Sequence, residues 1–448
     1  MTKPIAEQAV VIGAGMGGLA AAKAVAPYFE KITVLDRDAL PDAPQPRAGT
    51  PQARHTHVLL AGGCKALEQL FPDVVQDLKE AQGVTLHVGR DLRFERPGYD
   101  PFPQRDLGVE MICQSRPLLE RICRRRLEED NKVEIRARSR VTELIPSPDE
   151  RGVAGVRFER DEGDTIDIAA DLVVDASGRA GPSLALLERI GRKPPAQDEI
   201  GIDIAYSTAI FEIPDDPPEW AALNHLPAAP EIGRGGLVVP IEGGRWTVSI
   251  GGVHGDAPPG DVEGMRSFAR TFRTPTLYDA IATAKSIGEV ARFNFPGSVR
   301  RHFERMERFP RGLVPIADSL CRFNPVFGQG MSVAAQEAVA LGRLLEAQRE
   351  NPDPLTGLAE SFLSEIQPLL ESPWAVAVGD FVYPQTRGER PPDLARRFQY
   401  GVGLTRLMFE DPAVHKLGVE VMHLLKPHGL LRNPELVGRV NALMAAAV

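Results

Sequence analysis

Three glycines and one aspartate near the start of the chain have the types and spacing of a nucleotide-binding site. Gly13, Gly15 and Gly18 form a G-x-G-x-x-G turn, and Asp36 follows at the end of the next predicted strand. In such a turn the first glycine permits the bend, the second lets a pyrophosphate approach the backbone, and the third lets helix and strand pack closely. A carboxylate after the second strand can bind ribose hydroxyls. The pattern predicts nucleotide binding, and we include Arg37 in the predicted site.

A second constellation lies in the last third of the chain. It predicts a buried strand ending at Asp318, a loop containing Gly328 and Gly330, and a helix that begins near Met331. The carboxylate can accept a hydrogen bond from a ribityl chain, and the glycines let backbone approach a ring system. The positive end of the helix favours the negative charge that a flavin pyrimidine edge gains on reduction. The two constellations together predict FAD rather than NAD.

The elements around these residues predict an α/β protein. Residues 8–12 and 32–35 are predicted strands on either side of a small-residue helix at 19–26, which makes a βαβ unit. Alternating apolar residues between about 200 and 300 predict an inserted antiparallel sheet. We expect a Rossmann-like FAD-binding domain of the glutathione reductase type at 1–195 and 306–350, an antiparallel substrate domain at 196–305, and a C-terminal helical region at 351–448.

Composition restricts the class of protein. A chain of 448 residues with 43% hydrophobic and 25% charged residues is typical of a packed, soluble enzyme. The net charge of -9 argues against nucleic-acid binding, which needs excess Lys and Arg. The four cysteines show no C-x-x-C pair, and no secretory signal or transmembrane-length apolar run is visible. We expect free thiols, no metal site and a cytoplasmic location.

The chain resembles the class A flavoprotein monooxygenases, which share the fold of para-hydroxybenzoate hydroxylase. Within them it is most similar to the bacterial subgroup that contains the polyether-pathway olefin epoxidases. The resemblance extends from about residue 8 to 425, loosely in the middle domain. The subgroup resemblance rests on three groups of residues: Pro51, Gln52, Arg54, His55, His57, Leu59 and Leu60; Val174 to Arg179; and Phe323, Asn324 and Pro325 with Gly328 to Met331.

The resemblance implies roles for several residues. Arg54 would lie near the flavin or its phosphates, Arg116 would contact the FAD backbone, and Val141 would present main chain to the adenine. His55 and His57 remain open between a hydrogen-bonding scaffold and a catalytic role, since a loop histidine more often serves as a scaffold.

The chain departs from the family pattern in three places. The hydroxylases' Asp-Gly motif, which helps to place FAD and the pyridine nucleotide, appears as Ser177-Gly178, with a carboxylate two residues earlier at Asp175. This departure weakens the expectation of direct reduction by NADPH. The family's Gly-Asp is Ala317-Asp318, which keeps the carboxylate, and Met331 stands where many relatives have Asn.

The resemblance also implies a reaction. NADPH or NADH would reduce the flavin, directly or through a separate flavin reductase partner. Molecular oxygen would then form a C4a-hydroperoxide that epoxidises or hydroxylates a hydrophobic small molecule of secondary metabolism. Epoxidation needs no side-chain base, so no catalytic residue is assigned. We expect the substrate between the inserted sheet and the flavin, against Tyr206, Val238, Pro240, Trp246 and Phe295, although each of these also suits an ordinary core face.

Three alternatives stay open. A prenyl-chain reductase of the geranylgeranyl type shares the Asp-Ala-Ser-Gly pattern. A flavin-dependent halogenase would carry a Trp-x-Trp-x-Ile-Pro segment, and Trp220, Trp246 and Trp374 are not so spaced. A prenyl-binding module of the GDP-dissociation-inhibitor class would lack flavin chemistry, which the retention of both glycine loops and both aspartates disfavours.

Overall fold

The computed structural model describes residues 3–161 and 163–446. Its strands are β1 (Ala6–Ile12), β2 (Phe29–Leu35), β3 (Val84–His87), β4 (Leu92–Glu95), β5 (Glu110–Cys113), β6 (Val133–Arg136), β7 (Ser139–Pro146), β8 (Val153–Arg160), β9 (Thr165–Ala169), β10 (Leu172–Asp175), β11 (Gln197–Ile200), β12 (Ile204–Glu212), β13 (Ala222–His225), β14 (Gly235–Ile241), β15 (Arg245–Val253), β16 (Ser286–Phe295), β17 (Ser298–Arg301), β18 (Leu313–Pro315) and β19 (Cys321–Arg322).

The α-helices alternate with these strands in the first part of the chain and dominate its end. They are α1 (Met16–Val25), α2 (Ala61–Leu70), α3 (Val74–Glu80), α4 (Val88–Asp91), α5 (Arg116–Glu128), α6 (Gly181–Arg189), α7 (Val262–Ala269), α8 (Thr276–Ile281), α9 (Gly330–Ala347), α10 (Leu358–Glu365), α11 (Gln367–Val378), α12 (Leu394–Glu410), α13 (Pro412–Met422) and α14 (Pro434–Ala445).

A five-stranded parallel sheet forms the centre of the first domain, in the order β18-β10-β1-β2-β6. The apolar runs at the ends of β1 and β2 and along β10 are buried, as expected for parallel strands covered on both faces. β7, β8 and β9 form a three-stranded antiparallel sheet beside it. The predicted α/β class with a Rossmann-like domain is confirmed.

Small residues let helices α1 and α9 approach each other closely. A Cβ added to Gly17 would lie 3.7 Å from Cβ of Ala334 in α9 and 2.7 Å from Cβ of Ala317 in the turn before it, and one on Gly342 in α9 would lie 3.5 Å from the carbonyl oxygen of Ala24. Larger side chains at these positions would push α9 away from the sheet. This packing brings the predicted second constellation next to the N-terminal glycine turn.

A second large sheet has six strands, in the order β16-β12-β15-β14-β13-β4. Its neighbouring strands are antiparallel except for the parallel pair of β13 and β4. The edge strand β4 comes from Leu92–Glu95, ahead of the predicted 196–305 range, so an early segment of the chain completes this sheet. One face packs against α7 and α8, and the other faces the first domain.

The C-terminal region is helical, as predicted. Helices α12, α13 and α14 share a small core of their own, which contains Leu407, Val414, Leu436 and Val440. Within the described residues, no helix combines the length and apolar character that crossing a bilayer requires.

Two predicted element boundaries need correction. Strand β18 ends at Pro315, and Asp318 lies beyond it in a 3-10 helix, Ala317–Ser319, rather than at a strand end. Helix α9 begins at Gly330, one residue before the predicted start.

Candidate functional site

The N-terminal glycine turn has open space beside Gly15, whereas Gly13 and Gly18 have no room for a side chain. Gly13 has a φ of 98°, and a Cβ on Gly18 would lie 1.8 Å from the Gly13 carbonyl oxygen. A Cβ on Gly15 would meet nothing closer than two guanidinium groups, Arg116 at 3.7 Å and Arg47 at 3.8 Å. Open space between two cations and a helix N-terminus suits a pyrophosphate.

Asp36 is held by a buried ion-pair network that sequence reasoning missed. Its Oδ2 accepts a hydrogen bond from the Ala14 amide at 2.6 Å, and Nη1 of Arg47 lies 3.0 Å from its Oδ1. Arg47 also pairs with Asp38 at 2.8 Å and with Glu120 at 3.4 Å. One guanidinium therefore contacts three carboxylates beside the glycine turn. Nothing in the sequence around Arg47 marks it, because its partners lie on two other segments, the end of β2 and helix α5.

Arg116 extends this network toward the second constellation. Its Nε donates to Oε1 of Glu120 at 2.8 Å, and its Nη1 donates to Nε2 of His57 at 3.3 Å. His57 donates from Nδ1 to the carbonyl oxygen of His55 at 2.9 Å, so the neutral Nδ1-H tautomer is fixed. Burial and the charge of Arg116 lower the pKa of His57 to about 3. His57 thus orients Arg116 and carries no charge.

The second constellation forms around Asp318. Burial raises the pKa of Asp318, while Arg116, Arg322 and Arg301 oppose that rise. A Cβ on Gly330 would lie 3.9 Å from Oδ1 of Asp318, which leaves room between the carboxylate and the start of α9. Arg116 is therefore close enough to act on both glycine segments.

Glu337 fixes the unusual backbone just before Asp318. Ala317 has a φ of 57°, and its amide donates to Oε2 of Glu337 at 2.7 Å. Glu337 is fully buried, its Oε1 has no partner among the described residues, and burial raises its pKa to about 8. The side chain is therefore mostly protonated at neutral pH and positions Asp318 through the backbone.

The loop before α9 has an open, polar end. Gly328 has a φ of 66°, and a Cβ there would lie 3.2 Å from Cγ2 of Val58. Gln329 is 1% exposed, yet its Oε1 has no hydrogen-bond partner within the described part of the chain. An unpartnered buried amide oxygen at a helix N-terminus fits a ligand with polar edges, such as the pyrimidine ring of a flavin.

The two helices that frame this space present free positive ends. Neither α1 nor α9 has a side-chain cap, and neither carries an acidic residue in its first turn. Their first amides therefore remain available to an anionic or polar ligand. The pyrophosphate would lie at Gly15 with Arg116, and the flavin ring would lie at Gly328 to Met331, so the residues present fit FAD.

The contacts of Arg37, Arg54 and Val141 with FAD stay predictions. Arg37 and Arg54 are exposed, and neither makes a hydrogen bond or ion pair within residues 3–161 and 163–446. Val141 lies on β7, just before a bulge, and the neighbouring Ser139 amide donates to the Asp36 carbonyl at 2.7 Å. Val141 is thus close to the Asp36 end of the site, and its contact with adenine stays a prediction.

Asp175 has a structural role and does not replace the missing Asp-Gly carboxylate. It is fully buried at the end of β10 and accepts hydrogen bonds from the Ser177 amide at 3.0 Å and the Ser183 amide at 3.2 Å. Its lone pairs are used to hold the Ser177-Gly178 turn and the start of α6. Asp175 therefore does not supply the carboxylate of the family's Asp-Gly motif, which is absent at Ser177-Gly178.

His55 lies between the glycine loop and the six-stranded sheet. It is 6% exposed, and its Nδ1 lies 2.8 Å from Oγ1 of Thr208. Its ring packs edge-on against Tyr206, with centroids 4.7 Å apart, and against Phe293 at 5.7 Å. Burial and the charge of Arg54 lower its pKa to about 4. A neutral imidazole therefore faces the aromatic part of the sheet.

A chain of hydroxyl groups continues from His55. We call Thr56, Thr208, Thr247 and Ser249 the hydroxyl cluster. Thr208 lies 2.6 Å from Ser249, Ser249 lies 2.8 Å from Thr56, and Thr56 lies 3.0 Å from Thr247, measured between hydroxyl oxygens. Either direction of donation satisfies the chain, so His55 can be an acceptor or a donor at Nδ1. Polar positions within apolar strands were the sequence signal for this cluster.

The five predicted pocket residues do not line one cavity. Val238 and Trp246 pack with Trp220 and the helices α7 and α8 on the far face of the sheet, and the register places Pro240 opposite Trp246 on that same face. Tyr206 and Phe295 lie on the face toward the first domain, in an apolar cluster with Tyr383. Strand alternation separates the two sets, because one step along a strand reverses the face. Only Tyr206 and Phe295 remain as candidates.

Comparison with known proteins agrees with this geometry. A family model described as FAD binding domain matches residues 7–353. The chain belongs to this FAD-binding family. It is thus an FAD-dependent oxidoreductase, and the predicted cofactor and class A flavoprotein monooxygenase relationship are confirmed. The olefin epoxidase subgroup stays a prediction.

This flavoprotein also has a curated relative and structural neighbours. It is 35% identical over 364 residues to Protein Rv3254 from Mycobacterium tuberculosis (strain ATCC 25618 / H37Rv), covering 76% of this chain and 73% of the relative.

The structural neighbours share the fold at low sequence identity. A flavoprotein/dehydrogenase from Cytophaga hutchinsonii is 14% identical with a TM-score of 0.69, covering 99% of this chain and 100% of the other. The flavin-dependent brominase Bmp2 is 14% identical with a TM-score of 0.67, covering 99% and 98%. PqsL from Pseudomonas aeruginosa, described as a probable FAD-dependent monooxygenase, is 15% identical with a TM-score of 0.61, covering 85% and 98%.

Proposed function

We propose that this flavoprotein is a monooxygenase that epoxidises or hydroxylates a small molecule with an apolar body and one polar group. Bound FAD would supply two-electron transfer from NADPH or NADH, or from a separate flavin reductase, and the activation of molecular oxygen. The observation that carries the proposal is the position of His55, between the FAD-binding loop and an aromatic sheet face.

The segment from His55 to Leu60 connects the two sides of the proposed site. His57 bonds Arg116, Val58 lies against Gly328, and the Leu60 amide donates to Oγ of Ser332 at 3.0 Å. His55 is in the same short segment and contacts the sheet. A substrate placed beside His55 would therefore lie near the flavin ring.

The sheet face suggests a substrate with two kinds of surface. Tyr206, Phe293 and Phe295 offer an aromatic wall, and the hydroxyl cluster with His55 offers donors and acceptors. Such a site holds an apolar body against the rings and fixes its orientation through a few polar contacts. These contacts favour a hydrophobic small molecule that carries one hydrogen-bonding group.

His55 would hold or accept a proton at Nε2 while the hydroxyl cluster adjusts at Nδ1. Because the cluster can reverse its direction of donation, the ring can present Nε2 as an acceptor or as a donor without becoming charged. The pKa of about 4 supports a neutral ring. His55 would therefore orient a substrate hydroxyl or carbonyl rather than act as a cationic acid.

The test is reduction and oxygen consumption by the purified yellow protein. We expect NADPH, or dithionite where a reductase is needed, to bleach the flavin anaerobically, and oxygen to restore it. With apolar alkenes and phenols as probes, one oxygen atom should appear in the product, measured by mass spectrometry with labelled oxygen. Anaerobic saturation of a prenyl chain would instead establish the reductase alternative, and a colourless protein that FAD cannot reconstitute would contradict both.

Variants of the hydroxyl cluster sharpen this test. Thr208→Val removes the hydroxyl bonded to His55 at similar volume, and we expect product formation to fall about tenfold, since a buried hydrogen bond contributes roughly 1 kcal/mol or more. Thr208→Ser keeps the hydroxyl and should retain most activity. Thr142→Val, on the exposed side of β7, is the matched control. Equal activity of the Val and Ser variants at position 208 would remove His55 from the proposed site.

A further inference from the structure

One buried carboxyl group of the C-terminal region contacts the loop that leads into α9. Asp380 lies in a 3-10 helix, Gly379–Val382, and is 7% exposed. Its Oδ2 accepts a hydrogen bond from Nδ2 of Asn324 at 3.0 Å. The matched family domain ends at residue 353, so this contact comes from a part of the chain outside it.

Asn324 transmits this contact to the FAD-binding loop. It is 1% exposed, and its Oδ1 accepts the Val326 amide at 3.1 Å, which caps the 3-10 turn Pro325–Phe327. That turn ends at Gly328, whose φ of 66° sets the approach to α9. Since the oxygen of the amide is used by Val326, its nitrogen must face Asp380. The orientation of the loop therefore depends on an acceptor at position 380.

The charged groups near Asp380 are engaged elsewhere. Thr386 donates to the Asp380 carbonyl oxygen at 2.7 Å, and its Oγ1 lies 3.3 Å from Nε2 of His254. The other titratable or charged groups of the surrounding elements are Tyr383, the pair of Arg387 with Asp203, and Arg390, which lies over the Phe381 ring and donates to backbone carbonyls. No cation pairs with the Asp380 carboxyl within the described residues.

A buried carboxyl without a cation is costly in its charged form. Burial raises the pKa of Asp380 to about 7, although the Asn324 amide acts in the opposite direction. Both protonation states are therefore populated near neutral pH. The bond from Asn324 is charge-assisted, and thus stronger, only when the carboxyl is ionised.

We propose that Asp380 is a positioning residue for the FAD-binding loop, acting through Asn324, and that FAD affinity depends on whether its carboxyl group is ionised. The proposal rests on FAD binding, which the proposed function also requires, and not on the oxygenase reaction. Ionised Asp380 holds Asn324 and the turn before Gly328 more firmly. FAD then binds more tightly as the pH rises.

The experiment measures the dissociation constant of FAD from the holoenzyme at pH 6, 7 and 8, by recovery of flavin fluorescence on dilution. We expect the wild-type constant to fall severalfold between pH 6 and 8. Asp380→Asn keeps an acceptor for Asn324 but cannot ionise, so its constant should change less between pH 6 and 8 than that of the wild type. Asp380→Ala should bind FAD about tenfold more weakly than wild type at pH 8, because the bond to a charged acceptor is lost.

Glu389→Gln is the matched control, because Glu389 is exposed and its substitution removes the same charge from a nearby position. It should follow the wild-type pH dependence. The proposal is overturned if Asp380→Asn keeps that dependence, or if a folded Asp380→Ala variant binds FAD as tightly as wild type. The first comparison stands even where Asp380→Ala fails to fold. Absence of FAD binding by the wild-type protein is a different result, and it would overturn the proposed function as well.

Discussion

At the scale of single residues, the site depends on buried charges that are paired with groups on other segments of the chain. Arg47 is the clearest case, because its side chain is only 6% exposed and contacts Asp36, Asp38 and Glu120. Removing one member of a buried ion-pair network leaves uncompensated charge, which costs more than the pair itself contributes. The stability of the glycine-turn end of the site is therefore concentrated in one guanidinium group.

Substitution of Arg47 tests this network. We expect Arg47→Ala to lower the free energy of unfolding by about 3–5 kcal/mol, measured by urea denaturation, and to weaken FAD binding. Arg37→Ala is the control, since Arg37 is exposed and without partners within the described residues. Its effect should stay within about 0.5 kcal/mol. If the two variants are equally stable, the network carries no such energy.

At the scale of elements, the C-terminal region is attached to the site through helix α2. The Ala61 amide donates to Nδ1 of His423 at 3.4 Å, and the Gly62 amide donates to the His423 carbonyl oxygen at 2.9 Å. A Cβ on Gly62 would lie 2.4 Å from the Leu424 carbonyl oxygen, so only glycine permits this approach. His423 supplies the cap that α2 lacks from its own residues.

Substitution of His423 should loosen this attachment. We expect His423→Ala to lower the free energy of unfolding by about 1–3 kcal/mol, because a helix amide loses its buried acceptor. Hydrogen exchange at the first turn of α2 and in α13 should become faster. His428→Ala, on the half-exposed stretch that follows, is the control. Unchanged exchange in both elements would show that the rest of the interface holds them together.

At the scale of the whole molecule, buried titratable groups set the pH range of stability. Burial is the first cause that lowers the histidine pKa values, to about 4 for His55, His415 and His423 and about 3 for His57. The pKa of these histidines in the unfolded chain is 6.5. Their contribution to the free energy of unfolding is therefore complete above that pH and is lost as the pH falls toward 4. Glu337, with its pKa raised to about 8, acts in the opposite sense. Its contribution is lost as the pH rises from 4.5 to 8.

These groups predict a maximum in the free energy of unfolding near pH 6.5. Below pH 6.5 the four histidines outnumber the carboxyl groups with raised pKa values, so the free energy of unfolding decreases as the pH falls. Each group changes the slope of this free energy by at most about 1.4 kcal/mol per pH unit. Above pH 6.5 the carboxyl groups act alone, so the free energy of unfolding decreases as the pH rises. Urea denaturation at pH 5, 6.5 and 8 measures the profile, and Glu337→Gln should flatten its alkaline side. A profile that does not change over this range would contradict the assignment of buried neutral groups.

The sequence by itself determined the α/β class, both glycine turns and the cofactor. These features are local, since Gly13, Gly18 and Gly328 are required by backbone geometry within a few residues. Strand and helix patterns around them were sufficient to place α1 and α9. Family motifs then indicated flavin chemistry.

Only the tertiary structure decided which side chains meet. Arg47, Asp380 and His423 contact residues on other segments, at separations from 9 to 362 positions, and no local pattern specifies such pairs. The face on which a strand residue points depends on register, so Trp246 and Tyr206 were grouped together although they lie on opposite faces. Motifs fix the backbone that receives FAD, whereas the packing of distant segments fixes the charges and walls around it.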